Sequence, residues 1–219
     1  MTSETAALDP RIARTRRDVV AATSALLLDE GWDAVTHAAV ARRAGYSKAT
    51  VYTHWPTRLD LISASIEQIC DEAEHPAATG DLRADLRAGL ADFADDLTHG
   101  HLDRLLAGVV ERANDSEVVG RLRTRLYETG TSALRAVLES HVAQRDVEPA
   151  LALLTGAVLV LVTFEGRPVG TAALDDLIDR VLAATTPRAS QDPSAREVPG
   201  PPADAGPPPK PISLPSGSR

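Results

Sequence analysis

Along most of the chain's 219 residues, apolar positions recur every third or fourth place. That spacing puts apolar side chains on one face of an α-helix. Ile12, Val19, Val20, Thr23, Leu26 and Leu27 trace such a stripe through about Glu30. Asp9-Pro10 opens it and Gly31 closes it. Two short helices around a tight turn follow between Thr36 and Asp60, and a further helix runs from Thr57 to about Glu74 with Leu59, Leu61, Ile62, Ile66 and Ile69 inside. Thr57-Arg58-Leu59-Asp60 reads as its capping box. After a break at His75-Pro76 through Gly80, Asp81 to Thr98 carries Leu82, Leu86, Leu90, Phe93 and Leu97. His101 to Ala113 carries Leu102, Leu105, Leu106, Val109 and Val110. Asn114-Asp115-Ser116 caps a long helix to about Val142, where Gly130 marks a bend or a close helix approach.

Glu148 to Phe164 has almost no polar face, which implies burial on all sides. No apolar run approaches the ~18 residues of a membrane span. A last amphipathic helix runs from about Ala172 to Ala184. The pattern therefore predicts an all-α protein of about nine helices. Residues 1–8 read as a flexible arm. From Pro187 to Arg219, ten of thirty-three residues are proline, a composition that buries no core, so a disordered tail is expected.

Composition supports the helical reading: 43% of residues are hydrophobic but only 3% aromatic. The single cysteine, Cys70, excludes an internal disulfide framework and fits a reducing cytoplasm. The N-terminus lacks the apolar core of a signal peptide. The net charge of -8 argues against nucleic acid until its distribution is considered. Residues 9–60 hold eight basic and six acidic side chains, a net of +2; residues 61–219 hold fifteen and twenty-four, a net of -9. The basic charge sits at one end.

Within that end, Ala41, Gly45 and Val51 have the spacing of a helix-turn-helix. A small residue admits the second helix, a glycine takes the turn, and a β-branched residue anchors the second helix. The second helix spans about Ser47 to His54, with Ser47 as its cap. Val51 points inward. Lys48, Ala49, Thr50, Tyr52, Thr53 and His54 are left to face outward, groups that reach phosphates and base edges in a major groove. Thr36 caps the first helix, whose N–H groups can hold a phosphate. Arg58 opposes the dipole of its own helix, a penalty that a bound phosphate would reverse.

The threonine at Thr36, V-A-x-x-A-G from Val40 to Gly45, S-K-A-T-V-Y from Ser47 to Tyr52 and H-W-P-T-R from His54 to Arg58 together resemble the DNA-binding domain of TetR-family transcriptional repressors. The resemblance covers about residues 10–62. The chain departs from it at His37, where the family usually carries an apolar residue, and at Tyr46, where a small aliphatic one is usual. The resemblance implies a three-helix DNA-binding domain over 9–56 and a ligand-binding and dimerisation domain over 57–186. It implies a homodimer on a near-palindromic duplex, with Leu151, Leu154, Val158, Leu159, Val162, Leu174, Ile178 and Val181 as candidates for the dimer interface. It also implies a pocket among the middle helices, for which Leu86, Leu90, Phe93, Leu105, Val109, Leu122 and Leu126 are candidates. With few aromatic or inward polar groups, its small-molecule effector is expected to be apolar or amphipathic.

No cofactor is implied, and no membrane partner. His99, His101, Asp95, Asp96 and Asp103 cluster at a helix break, but a short His-x-His in a polar loop is expected to be solvated, so no metal site is assigned. No Ser-His-Asp arrangement or glycine-rich phosphate loop is visible, so no enzyme is expected. Two rivals stand beside a ligand-released repressor: a helical enzyme or ligand-binding protein whose helix-turn-helix is unused, and a regulator without a ligand.

Overall fold

The computed structural model describes residues 10–187. The expected arm and all but the first residue of the expected tail lie outside them. Among the described residues are nine α-helices: α1 Pro10–Asp29, α2 His37–Ala44, α3 Lys48–His54, α4 Arg58–Asp71, α5 Leu82–Thr98, α6 Leu102–Arg112, α7 Glu117–His141, α8 Gln144–Leu159 and α9 Thr171–Ala183. A 3-10 turn, Trp32–Ala34, links α1 to α2, and α8 continues as a π-helical stretch, Val160–Phe164.

The helix ends follow from local chemistry. Thr36 Oγ1 accepts from the Ala39 N–H, Ser47 Oγ from Thr50 and Asp81 from Ala84. Thr57 and Asp60 satisfy each other's backbone N–H groups in the expected capping box. Gly45 ends α2 at φ 77°, the left-handed region a Cβ disfavours. Asp85 accepts from the Thr79 hydroxyl and N–H and from the Gly80 N–H, which ties down the connector before α5. Those bonds, the Thr79 hydroxyl foremost, hold its carboxyl below the usual range.

Two cores result, and they do not divide at Pro56. The first joins α1–α4 to α6 and the start of α7, through Val19, Leu27, Trp32, Val51, Ile62, Leu105, Val109 and Leu122. Cys70 belongs to it, and burial raises its thiol pKa. The second joins α5, the rest of α7, α8 and α9, through Leu86, Leu90, Leu134, Leu138, Leu154 and Ile178. Helix α4 packs on α1, so α4 is built into the DNA-binding end rather than starting a separate body. Two acidic side chains of α9 reach across to α5. Asp175 accepts from Arg87 Nε at 2.5 Å and Asp179 pairs with Arg83, so they stitch α9 to α5.

Helix α8 begins at Gln144, one turn before the expected start, and runs through Pro149. Joined to the π-helical stretch it forms an apolar rod from Gln144 to Phe164, long and apolar enough to cross a membrane by length and composition, so contrary to the expectation one apolar stretch does approach the length of a span. Only a third of its most apolar window is buried within the chain. Leu151, Leu154 and Val158 of the expected dimer face are fully buried in the second core, and Leu174, Ile178 and Val181 of α9 are buried there too. Leu159 and Val162 pack against that core. These positions have little surface left for a second copy. The apolar surface lies elsewhere on the rod, at Leu153, Val160 and Phe164, the last 78% exposed.

Candidate nucleic-acid interface and adjoining cavity

Val51, fully buried, turns α3 so that its opposite face is open. On that face Lys48, Ala49, Tyr52 and Thr53 are exposed, while Thr50 and His54 are half-buried. Ser47 and Thr36 are exposed at the N-termini of α3 and α2. Ser47 and Thr50 hydroxyls are 2.8 Å apart, and Thr53 donates its hydroxyl to the Ala49 carbonyl. The nine positions expected to meet DNA thus share one end of the molecule, but Arg58 does not stand free there. Its Nη2 donates to the Trp32 carbonyl and to Asp33 at 3.0 Å. The Arg58 guanidinium, with Arg112 of α6 also nearby, holds Asp33 below the usual carboxylate range despite some desolvation. The phosphate contact expected of Arg58 meets competition from these internal partners.

Both departures from the family pattern turn out to position α3. His37 is buried, and its Nε2 lies 2.7 Å from the Trp55 carbonyl, so this nitrogen carries the hydrogen. Its ring stacks on Tyr52, centroids 3.8 Å apart. Lys48 Nζ sits 5.6 Å from the Tyr52 centroid on α3 itself. Tyr46 donates its hydroxyl to Asp18 at 2.8 Å, tying the turn to α1. Arg16 of α1 covers the Trp55 ring at 5.5 Å and so braces the end of α3.

Behind this end lies an apolar cavity of about 340 Å³ between α5, α6, α7 and α8, within the size range of small-molecule sites. Of the seven expected pocket residues, Phe93 and Leu126 line it. Leu86, Leu90, Leu105, Val109 and Leu122 do not, because they fill the two cores. The lining includes Leu102, Leu106 and Val110 of α6 and Ala152, Thr155, Gly156 and Leu159 of α8. Helix α8, expected at the dimer interface, thus also supplies cavity wall. Gly130 faces the cavity too: a Cβ there would meet no atom within 4 Å, so it marks space rather than a close approach. Its position within an otherwise regular apolar stripe was the available signal. At the α5–α6 break, His99 Nδ1 pairs with Asp95 at 2.7 Å, and among the described residues no three such side chains converge as metal ligands.

A capped helix-turn-helix at one end, and helices enclosing a cavity behind it, define a DNA-binding transcriptional regulator. Residues 19–65 match the family model for bacterial regulatory proteins of the tetR family, and residues 76–181 match the tetracyclin repressor-like C-terminal domain. An uncharacterized HTH-type transcriptional regulator of Mycobacterium tuberculosis, Rv1556, is 26% identical over 179 residues, 79% of this chain and 88% of that protein. The TetR-family regulator SCO0332 is 29% identical with a TM-score of 0.57, over 78% of this chain and 97% of that one. The flavonoid-responsive regulator FrrA shares the fold at 22% identity and a TM-score of 0.60, over 81% of this chain and all of that one. The chain belongs to the TetR family of bacterial transcriptional regulators. Regulators of this family bind DNA operators and act as dimers, and the relatives are regulators rather than enzymes.

Proposed function

We propose that the chain is a repressor that reads a near-palindromic operator as a homodimer and leaves it when a small apolar or amphipathic molecule enters the cavity. The observation that carries this reading is the position of α6. Leu102, Leu106 and Val110 face the cavity, while Leu105 and Val109 are buried in the core that holds α1–α4. A molecule that displaces α6 therefore acts on the elements that carry α3, and a ligand shifts an equilibrium by its differential affinity for two states.

Residues 9–56 bind DNA in this reading, and 57–186 bind the ligand and the second copy. Lys48, Ala49, Tyr52 and Thr53 enter the groove, with Thr50 and His54 flanking it. Thr36 and Ser47 bring the N–H groups of two helix starts to phosphates. The second copy covers the exposed apolar rod around Leu153, Val160 and Phe164, so that two copies of α3 reach half-sites about 34 Å apart.

The test is selection of bound fragments from a pool of random duplexes with the full-length protein. Enrichment of one near-palindrome, lost in the Lys48→Ala and Tyr52→Ala variants, is expected. Fragments without a common sequence, or undiminished enrichment by the double variant, would overturn the reading.

A further inference from the structure

We infer that the cavity takes a molecule with one apolar body and one anionic group, with the anion held by Arg123 at its mouth. The inference rests on the proposal that the cavity is the effector site. Helix α7 lays a single stripe along the cavity wall: Arg123, Leu126, Tyr127, Gly130 and Thr131, at helical spacing. In this stripe Arg123 and Tyr127 are exposed, and Leu126 and Thr131 are buried. Val110 of α6, 59% exposed, sits on the same lip.

The polar inventory of the wall is short and one-sided. No carboxylate lines the cavity. The Thr131 hydroxyl donates to the Tyr127 carbonyl and the Thr155 hydroxyl to the Leu151 carbonyl, so neither hydrogen is available to a ligand. Arg123 is the charged group of the lining, and it makes no ion pair or hydrogen bond among the described residues, although most neighbouring arginines do: Arg112 pairs with Glu111, Arg121 with Glu117, Arg125 with Asp71 and Arg135 with Glu148. A guanidinium offers five donors and no acceptor, and it suits a carboxylate or phosphate in a two-pronged grip. A cationic ligand would instead meet an uncompensated like charge. Because Arg123 is exposed, the anion keeps part of its water while the body enters the apolar floor, which avoids the cost of burying a charge.

The space itself can be closed without disturbing the fold. A Cβ at Gly156 of α8 or at Gly130 of α7, both in the cavity lining, meets no atom within 4 Å. Larger side chains at either position therefore grow into the cavity.

The experiment is calorimetric titration of the full-length protein with octanoate, octanol and octyltrimethylammonium, which share one chain and differ in the charge of the head. Octanoate is expected to bind about tenfold or more tighter than octanol, as charge-assisted bidentate bonds exceed neutral ones, and the ammonium weakest. Arg123→Gln should bring octanoate down to the level of octanol and leave octanol unchanged. Gly156→Leu, and independently Gly130→Leu, should abolish binding of both in a protein that melts no lower than wild type. If octanol or the ammonium matches octanoate on wild type, or Arg123→Gln keeps the preference, the anion inference fails while the effector site stands. If no probe binds wild type, or both leucine variants bind undiminished, the effector site itself fails.

Discussion

The imidazole of His37 lies flat against the phenol ring of Tyr52, with ring centroids 3.8 Å apart and planes 7° from parallel. Its Nε2 meanwhile donates to the carbonyl of Trp55 just past the end of α3. One side chain of α2 thus holds both an exposed ring on the recognition face and the backbone where that helix stops. An apolar residue would fill the same volume but could not donate. We expect His37→Leu to leave the Trp55 carbonyl without its partner and to cost about 1–3 kcal/mol of stability. Operator affinity should fall by about 1 kcal/mol more than fold loss explains, the ordering cost of one interfacial side chain now set free. Thermal melts and fluorescence anisotropy on the selected operator check this. Unchanged affinity in a less stable protein would confine His37 to structure.

A second prediction separates structure from phosphate contact at Arg58. Its internal partners predict that Arg58→Ala lowers the melting temperature and leaves the salt dependence of operator binding unchanged. A salt slope reduced by about one unit would instead identify a phosphate contact. Asp33 gives the pH signature. Its carboxyl is held low by the Arg58 hydrogen bond, so its contribution is present above the ordinary carboxylate pKa and lost as pH falls through the lowered one. Asp33→Asn should therefore be less stable than wild type at neutral pH, with the gap closing below about pH 4.

The dimer face yields a third. Ile178 is buried in the chain's own core, so a charge there should unfold the protein rather than split a dimer. Leu153→Asp and Phe164→Asp alter exposed positions and should give folded monomers by light scattering with unchanged helicity. A dimer of wild-type mass in the doubly substituted protein would place the interface elsewhere.

The helices were legible because their apolar period is regular and their caps are local: Thr57-Asp60 and Gly45 act within a few residues. The exposed face of α3 was legible for the same reason, since inward-pointing Val51 determines which neighbours point out. What period alone does not tell is which core a buried stripe enters. Leu105 and Leu106 are adjacent on α6, yet one packs under the DNA-binding end and the other lines the cavity. Leu153 and Leu154 likewise part, the first to the surface and the second to the core. Arg58 looked like a free cation because its partner, Asp33, lies twenty-five residues away, and a loop brings the two together.

The last prediction concerns how the cavity end and the DNA end communicate. Gly108 of α6 rests on Trp32: a Cβ there would come within 2.9 Å of the Trp32 Cβ, an atom too near the backbone to swing aside. Arg112, one turn on, lies 5.3 Å over the same indole ring. The Trp32 carbonyl in turn receives Arg58 at the start of α4, three residues after Trp55, the residue that caps α3. A methyl group at 108 must push α6 from the turn or tilt the turn against α4. In an open helix interior, glycine to alanine stabilises by about 0.4–1 kcal/mol, whereas overpacking costs about 1–3 kcal/mol. Gly108→Ala should therefore melt lower than wild type and change operator affinity, although residue 108 does not lie on the recognition face. Gly130→Ala is the control, since its Cβ meets open space. It should melt slightly higher and bind operator as wild type does. If Gly108→Ala behaves like this control, the contact between α6 and Trp32 is not a path from cavity to operator.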